Sequence, residues 1–568
     1  MIIKNKYFKN ILLLCSFIIL SLIFIYPLAK TNAVYFSDDM FFHLQRVREM
    51  ATNANSGNFF VGIYTHTFGE VGYPLNLFYP WVTIWPFVLL SMLCSNQALA
   101  VYLGIAFYTF LTLCFTYLTV KKYSQNKTQA YITACLYAFS SYRVIDIFTR
   151  FALGEYVALT FLPLCLYGLY AIFKGNYRDW PYLAFGFSFV LLSHLLSVIL
   201  ISILLVALLV GLIPHLGNTM QRIKAFLKAI VVSILSSAIF IFPFIDQEMF
   251  QKYQQPDITD LAANALLPTR LLAESLNNNL NRVDSGNTYN LGIAILLVII
   301  CGLLAYHKLS TDYKFMYLLG VIFACLSTSL IPWSSLQSTS LSIIQFPWRF
   351  LGLATLLLSI VGGAIITQFI QTSKLNYGSL NMALGAVTIA ILVPYIASIH
   401  QLRTTMQSTE QAVTYSKNGQ FIFSGVSKEQ KAGMFHLENY TPQRGQQVAR
   451  KLCDHNVYIN GVSHKAKVKA GSNQLAFTSN ELINGTNIVL PVMNYKHLEV
   501  TDASGNRVNF VTDRYNRIKV TRAVRTTTLK VRYRFSSIDY LAVATSILTW
   551  LIAIVGWIYK MVLNWVRV

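Results

Sequence analysis

The chain has 568 residues, of which 55% are hydrophobic and only 12% charged, with a mean hydropathy of +0.50. A soluble protein carries roughly 25% charged residues, so a water-soluble globule is excluded, and repeated apolar runs indicate membrane-crossing helices. The net charge of +22 fits cytoplasmic loops rich in Lys and Arg, or basic surfaces that meet anionic lipids or polymers. No nucleic-acid-binding signature is present, and membrane lipids are the expected surroundings.

MIIKNKYFKN precedes ILLLCSFIILSLIFIYPLA. That run is too long for the apolar part of a signal peptide, so it is expected to be an uncleaved first helix, with Lys4, Lys6 and Lys9 holding its start in the cytoplasm. Twelve spans are expected, at roughly 8–28, 98–120, 130–146, 155–173, 180–194, 196–213, 226–244, 288–306, 313–331, 347–370, 378–399 and 538–559. The basic loops KKYSQNK (121–127) and KGNYR (174–178), with Arg222, Lys224, Lys228, Lys314, Lys374 and Lys560, then all fall on the cytoplasmic side, as the positive-inside rule requires. YPLNLFYPWVTIWPFVLLSMLC (73–94) is apolar, but prolines and aromatics crowd its start, and a span there would break the charge pattern. It is expected to lie in the outer interface. The stretch 180–213 is too long for one helix and is divided at SHLLS (193–197).

Four pieces are expected outside: 29–97, 245–287, 332–346 and 400–537. The last changes character, with alternating strand-like runs in AKVKAG, NIVLPV, NRVNFVTD, RIKV and TLKVRYRF between Gly- and Asn-containing turns. It reads as a β-sandwich inserted before the last helix. It holds 20 Lys and Arg against 8 Asp and Glu, a net charge of +12. The expected organisation is a transmembrane domain at 1–399, an extracellular basic β-rich domain at 400–537, and a final helix with a cytoplasmic tail at 538–568. Of the eight cysteines, seven lie in apolar runs and none forms CxxC, so no disulfide framework or zinc site is indicated.

The segment YFSDDMFFHLQRVREM follows the first helix. Ser37 is a good helix cap, and Asp38 and Asp39 suit a first turn, where the helix dipole favours negative charge. That reading leaves His43 and Arg46 unexplained; both share a helical face with Asp39, at i+4 and i+7. A carboxylate, a histidine and an arginine on one stripe suit proton transfer beside a bound phosphate.

This segment, with GYPLNLFYP, SYRVIDIFTRFALGEYVAL, LLSHLLS, IQFPWRFLGLA and the late LPVMNYKHLEVTDASGNRV, resembles polytopic glycosyltransferases of the GT-C fold. These enzymes use sugars carried on polyprenyl phosphate. More specifically it resembles a bacterial membrane family labelled 6-pyruvoyl-tetrahydropterin synthase-related, whose relatives glycosylate teichoic acids. The pterin label does not describe chemistry here, because no zinc-binding histidine set is present. The resemblance implies a GT-C-like fold of about 12 transmembrane helices, working at the outer face of a bacterial cytoplasmic membrane. It makes Asp38 or Asp39 the catalytic or metal-linked carboxylate; Asp39 is favoured because it shares a face with His43. Arg143, Arg150 and Glu155, together with His194 and Arg349, then become candidates for binding the lipid phosphate. Arginine suits phosphate geometry.

Each of these has a plainer reading. Arg143–Asp146 and Arg150–Glu155 are possible ion pairs, His194 a buried hydrogen-bonded group, and Arg349 an interfacial anchor. A divalent cation such as Mg²⁺ or Mn²⁺ is compatible with the resemblance, but no spacing selects one. The expected partners are a polyprenyl-phosphate-linked sugar and an anionic cell-wall polymer or glycan acceptor. The rival expectation is a non-enzymatic transporter or scaffold for lipid-linked glycans, but mid-membrane charges and paired halves, which a transporter would show, are scarce.

Overall fold

The computed structural model describes residues 2–35, 37–212, 217, 219–281, 288–373, 377–408, 412–415, 421–423, 433–483 and 485–566. Each of the twelve apolar segments overlaps a helix, with 130–146 and 226–244 each interrupted by a break, but not every helix is long enough to cross a bilayer. Seven are: Phe8–Ala29, Gln97–Ser124, Leu153–Phe173, Leu195–Leu212, Pro347–Thr372, Gly378–Gln407 and Ser537–Tyr559. Thr219–Ser236 and Ala238–Glu248 make an eighth if the pair, bent by 73°, is one span. The expected twelve therefore become seven or eight among the described residues. The other four are Lys127–Ala138, Pro181–Leu191, Gly292–Leu304 and Thr311–Leu326, of 11 to 16 residues. At a 1.5 Å rise per residue they reach only about 17–24 Å, short of a hydrocarbon core of about 30 Å. Hydropathy reports burial as well as membrane crossing, and Gly292–Leu304 is apolar while being too short to span.

The break at SHLLS is present: one helix ends at Leu191 and the next starts at Leu195. Residues 73–94 fold into short helices, Leu75–Phe78 and Trp85–Leu93. The apolar stretch Val82–Leu93 is too short to cross.

The chain divides into two compact units, each assembled from three segments. The first takes Met1–Met40, Cys94–Val231 and Ile258–Ser424. Leu153–Phe173 is its central helix, with nearly every side chain buried. It packs so tightly on Pro181–Leu191 that a Cβ at Gly168 would stand 2.2 Å from the Leu183 backbone nitrogen. A small antiparallel sheet joins Val34–Tyr35, Ala412–Tyr415 and Phe421–Phe423.

The second unit takes Phe41–Leu93, Val232–Asp257 and Gly425–Val568. It holds two five-stranded antiparallel sheets. One runs in the order Arg507–Val508, Leu498–Thr501, Thr528–Tyr533, Gln474–Thr478, Lys467–Gly471. The other runs Val511–Thr512, Arg517–Val520, Ile488–Met493, Asn456–Ile459, Val462–Lys465. Gly72 sits where Leu475 of the first sheet and Val492 of the second both approach its backbone. The early segment is tied down by Asn473, whose Oδ1 accepts from the Gly62 amide (2.7 Å) and whose Nδ2 donates to the Phe60 carbonyl (2.9 Å). An α+β unit built from distant segments satisfies these loop amides internally, as burial requires.

Candidate functional site

The charged residues of SYRVIDIFTRFALGEY fold into a break between helices. Ser141–Val144 passes into a π-helical turn, Ile145–Thr149, before the helix Leu153–Phe173 begins. Such turns often mark functional positions. The wider turn puts Asp146 against Arg150 rather than Arg143: the Arg150 Nη1 to Asp146 Oδ1 distance is 3.1 Å. The same nitrogen lies 2.8 Å from Glu155 Oε2, and Arg349 Nε lies 3.2 Å from that oxygen. The Tyr142 hydroxyl donates to Glu155 Oε1 at 2.5 Å. Two arginines thus converge on one carboxylate, all of them buried.

Aromatic rings wall the cluster. The Arg150 guanidinium lies 4.6 Å from the Trp348 ring, and Trp348 stacks on Tyr289. Arg349 Nη1 also donates to the Ile344 carbonyl and to Gln345 Oε1. The residue after Arg150, Phe151, and the residue before the FPWR turn, Gln345, both have positive φ, 57° and 62°. For side chains of this size such conformations cost of order 1–3 kcal/mol each and gather where geometry is constrained by function.

Asp39 joins the cluster through its backbone, its amide donating to the Arg150 carbonyl at 2.9 Å. Its carboxylate acts electrostatically on both Arg150 and Arg349. Asp38 acts on Tyr289, and His194 on Glu155. His194 is buried, with Nδ1 2.9 Å from Ser197 Oγ.

The plainer readings of these residues divide. The Arg150–Glu155 pair forms; the Arg143–Asp146 pair does not. Arg143 is 1% exposed and donates instead to the hydroxyls of Thr112 (2.9 Å) and Thr160, its guanidinium 4.6 Å from the Tyr156 ring. Its Nε and Nη1, and Asp146 Oδ2, are buried without hydrogen-bond partners among the described residues. Arg349 is no snorkelling anchor: it is 4% exposed and bonded to Glu155.

The expected stripe of Asp39, His43 and Arg46 is divided between the two units. The helix starts at Met40, and Asp38 and Asp39 form the turn before it. The Ser37 hydroxyl, expected to cap this helix, is buried with no hydrogen-bond partner among the described residues. In the second unit Arg46 Nη2 donates to the Pro80 carbonyl at 2.6 Å, Nη1 lies 3.4 Å from His43 Nδ1, and the guanidinium is 4.3 Å from the Tyr79 ring. These contacts hold the Pro/aromatic segment to the helix.

Glu49, one turn further on, was not singled out by sequence. It is fully buried and accepts from the amides of Thr65 and His66, from Thr67 Oγ1 and from Asn53 Nδ2. Its hydrogen bond to the His66 ring holds the imidazole above its usual pKa. The helical spacing of Asn53 four residues after Glu49 was the available signal; the backbone donors were not readable. Tyr142, Tyr289, Trp348 and Gln345 were missed as site residues because apolar and amide side chains beside a membrane look like ordinary interface. Among the described residues, no three His, Cys, Asp or Glu side chains gather closely enough to hold a metal ion.

These observations define a multi-pass helical membrane protein with a buried arginine–carboxylate cluster beside two aspartates. No family model matches the chain, and no curated protein matches it. Solved structures do. Arabinofuranosyltransferase AftD from mycobacteria shares 15% identity over 69% of this chain and 27% of its own, with a TM-score of 0.42. ArnT from Cupriavidus metallidurans, bound to undecaprenyl phosphate, shares 12% over 77% and 80%, with a TM-score of 0.39. The Archaeoglobus fulgidus oligosaccharyltransferase in its apo form shares 11% over 70% and 56%, with a TM-score of 0.38. The chain thus spans only 27% of AftD and 56% of the oligosaccharyltransferase. Likenesses of this size carry no weight for mechanism, and the reading of the site rests on its own residues.

Proposed function

We propose that the chain is a glycosyltransferase of the GT-C type, moving a sugar from a polyprenyl-phosphate carrier to an anionic cell-envelope acceptor at the outer face of a bacterial plasma membrane. The observation that carries this is the convergence of Arg150 and Arg349 on Glu155 beside Asp38 and Asp39. An acceptor hydroxyl oxygen attacks the anomeric carbon, and Asp39 takes the hydroxyl proton as the new C–O bond forms. The bond from that carbon to the carrier phosphate breaks, and the electron pair leaves with the phosphate. Arg150 and Arg349, fixed by Glu155, stabilise the departing anion in a site shielded from water. Arg143, whose Nε and Nη1 donors are unused among the described residues, is the third cation of the reading, and Asp38, Tyr289 and His194 line the same region.

The extracellular location of the β-rich segment and the assignment of teichoic acid or a related polymer as acceptor belong to this reading. The test is direct binding of undecaprenyl phosphate to the purified protein. Wild type should retain the lipid, Arg349→Gln should lose most of the affinity, and Asp39→Asn should keep it, because Asp39 acts on the acceptor. Equal retention by wild type and Arg349→Gln sinks the phosphate assignment.

A further inference from the structure

Within the second unit, the sheet containing Asn456–Ile459, Ile488–Met493 and Arg517–Val520 carries a cavity of about 490 Å³, within the size range of small-molecule sites. Strand alternation explains its lining. Val457, Ile459, Ile518 and Val520 are buried, so Asn456, Tyr458, Arg517 and Lys519 project from the other face. Tyr458 and Lys519 both pair with Val489 on the central strand, which places a ring and an ammonium on either side of the cavity floor. Lys451, Arg514 and Tyr515 also line the cavity.

The charges are unequally used. Arg517 is neutralised and oriented by Asp513, with Nε and Nη2 at 2.9 and 2.8 Å from Oδ2. Lys451, Arg514 and Lys519 have no carboxylate within 4 Å among the described residues. An anion entering the cavity meets three uncommitted cations. The amides of Asn456 and Asn487 and the hydroxyls of Tyr458 and Tyr515 also line it, and none is hydrogen-bonded to another described side chain or backbone group. Such donor–acceptor groups suit a ligand rich in hydroxyls. Arginines already lie against both rings, Arg517 5.0 Å from the Tyr458 ring and Arg514 4.7 Å from the Tyr515 ring, so a stacked base would compete with them for these faces.

We infer that this cavity binds an acidic saccharide unit, its phosphate or carboxylate held by Lys451, Arg514 and Lys519 and its hydroxyls by the asparagines and tyrosines. Its role as an acceptor-holding site rests on the transferase reading; the binding itself does not.

The test uses the full chain in detergent, with titration of a phosphorylated oligomannoside, an oligogalacturonate, a neutral maltooligosaccharide, single-stranded DNA and anionic lipid vesicles. Wild type should bind one or both acidic oligosaccharides, which tells phosphate from carboxylate, and should leave the neutral one unbound. Lys451→Ala/Arg514→Ala/Lys519→Ala should weaken that binding about ten-fold or more, since each lost charge-assisted bond is a substantial part of the affinity. Lys467→Ala/Lys469→Ala/Arg532→Ala removes equal charge from exposed positions of the other sheet and should change it less than about two-fold. Equal losses in both triple variants, or DNA or vesicle binding that the cavity triple abolishes to the same extent, would overturn the site. Failure here with undecaprenyl phosphate binding intact removes the cavity and leaves the transferase reading standing; the opposite pattern removes the transferase reading alone.

Discussion

Glu155→Gln separates structural from functional roles of the buried cluster. The substitution keeps the volume and nearly the shape of a side chain that is 2% exposed, so packing is conserved and charge is what changes. In the wild type Arg150 and Arg349 are balanced by Glu155 and Asp146. Glutamine removes one negative charge from this group and leaves its cations in excess of the wild-type balance. Removing one partner of a buried pair costs about 3–5 kcal/mol because the other is left uncompensated. In a unit of this size that should lower Tm by on the order of 5 °C, read by thermal unfolding in detergent. The same excess charge should make the variant respond more strongly than wild type to added undecaprenyl phosphate, which restores the missing anion. A Tm within about 1 °C of wild type would refute the charge balance, and an unchanged response to the lipid would refute the placement of phosphate at these arginines.

Arg143→Met should leave stability unchanged or raise it, since the guanidinium has no ion pair among the described residues and two unused donors; sugar transfer should fall at least about ten-fold if Arg143 meets phosphate, measured on membranes with matched protein levels. Gly168→Ala drives a methyl against the Leu183 backbone and should cost about 1–3 kcal/mol, seen as reduced folded yield on size-exclusion chromatography. His66 has a raised folded pKa from its hydrogen bond to Glu49. The stability it adds is therefore fully present below the unfolded pKa, about 6.5, and is lost as pH rises through the higher folded value. Thermal unfolding across that interval should show the decline in wild type, and His66→Gln should flatten it.

Much of the helical scaffold was legible because apolar runs of the right length and charged loops of the right sign are local signals. The break at SHLLS and the strands Lys467–Gly471, Ile488–Met493, Arg517–Val520 and Thr528–Tyr533 follow from such patterns. Asn456–Ile459 and Leu498–Thr501 were missed because their flanking turns and polar residues mask the alternation. The second unit's dependence on residues 41–93 and 232–257 is long-range and left no periodic trace. At the site, sequence singled out Arg150, Glu155 and Arg349 individually. Their convergence needed the π-helical turn and the positive φ of Phe151 and Gln345, which no spacing encodes. The Asp39–His43–Arg46 stripe assumed a helix capped by Ser37, with Asp38 and Asp39 in its first turn; the helix begins at Met40, after both aspartates.

The most direct measurement is mass spectrometry of envelope polymers and lipid-linked sugars from cells carrying wild type, a deletion, Asp38→Asn or Asp39→Asn at equal protein levels. The transferase account predicts that a polymer-bound sugar disappears in the deletion and in Asp39→Asn while its polyprenyl-linked donor accumulates, naming both substrates at once. A deletion phenotype that Asp39→Asn restores to wild type would contradict it and make a transport or scaffolding role the better account.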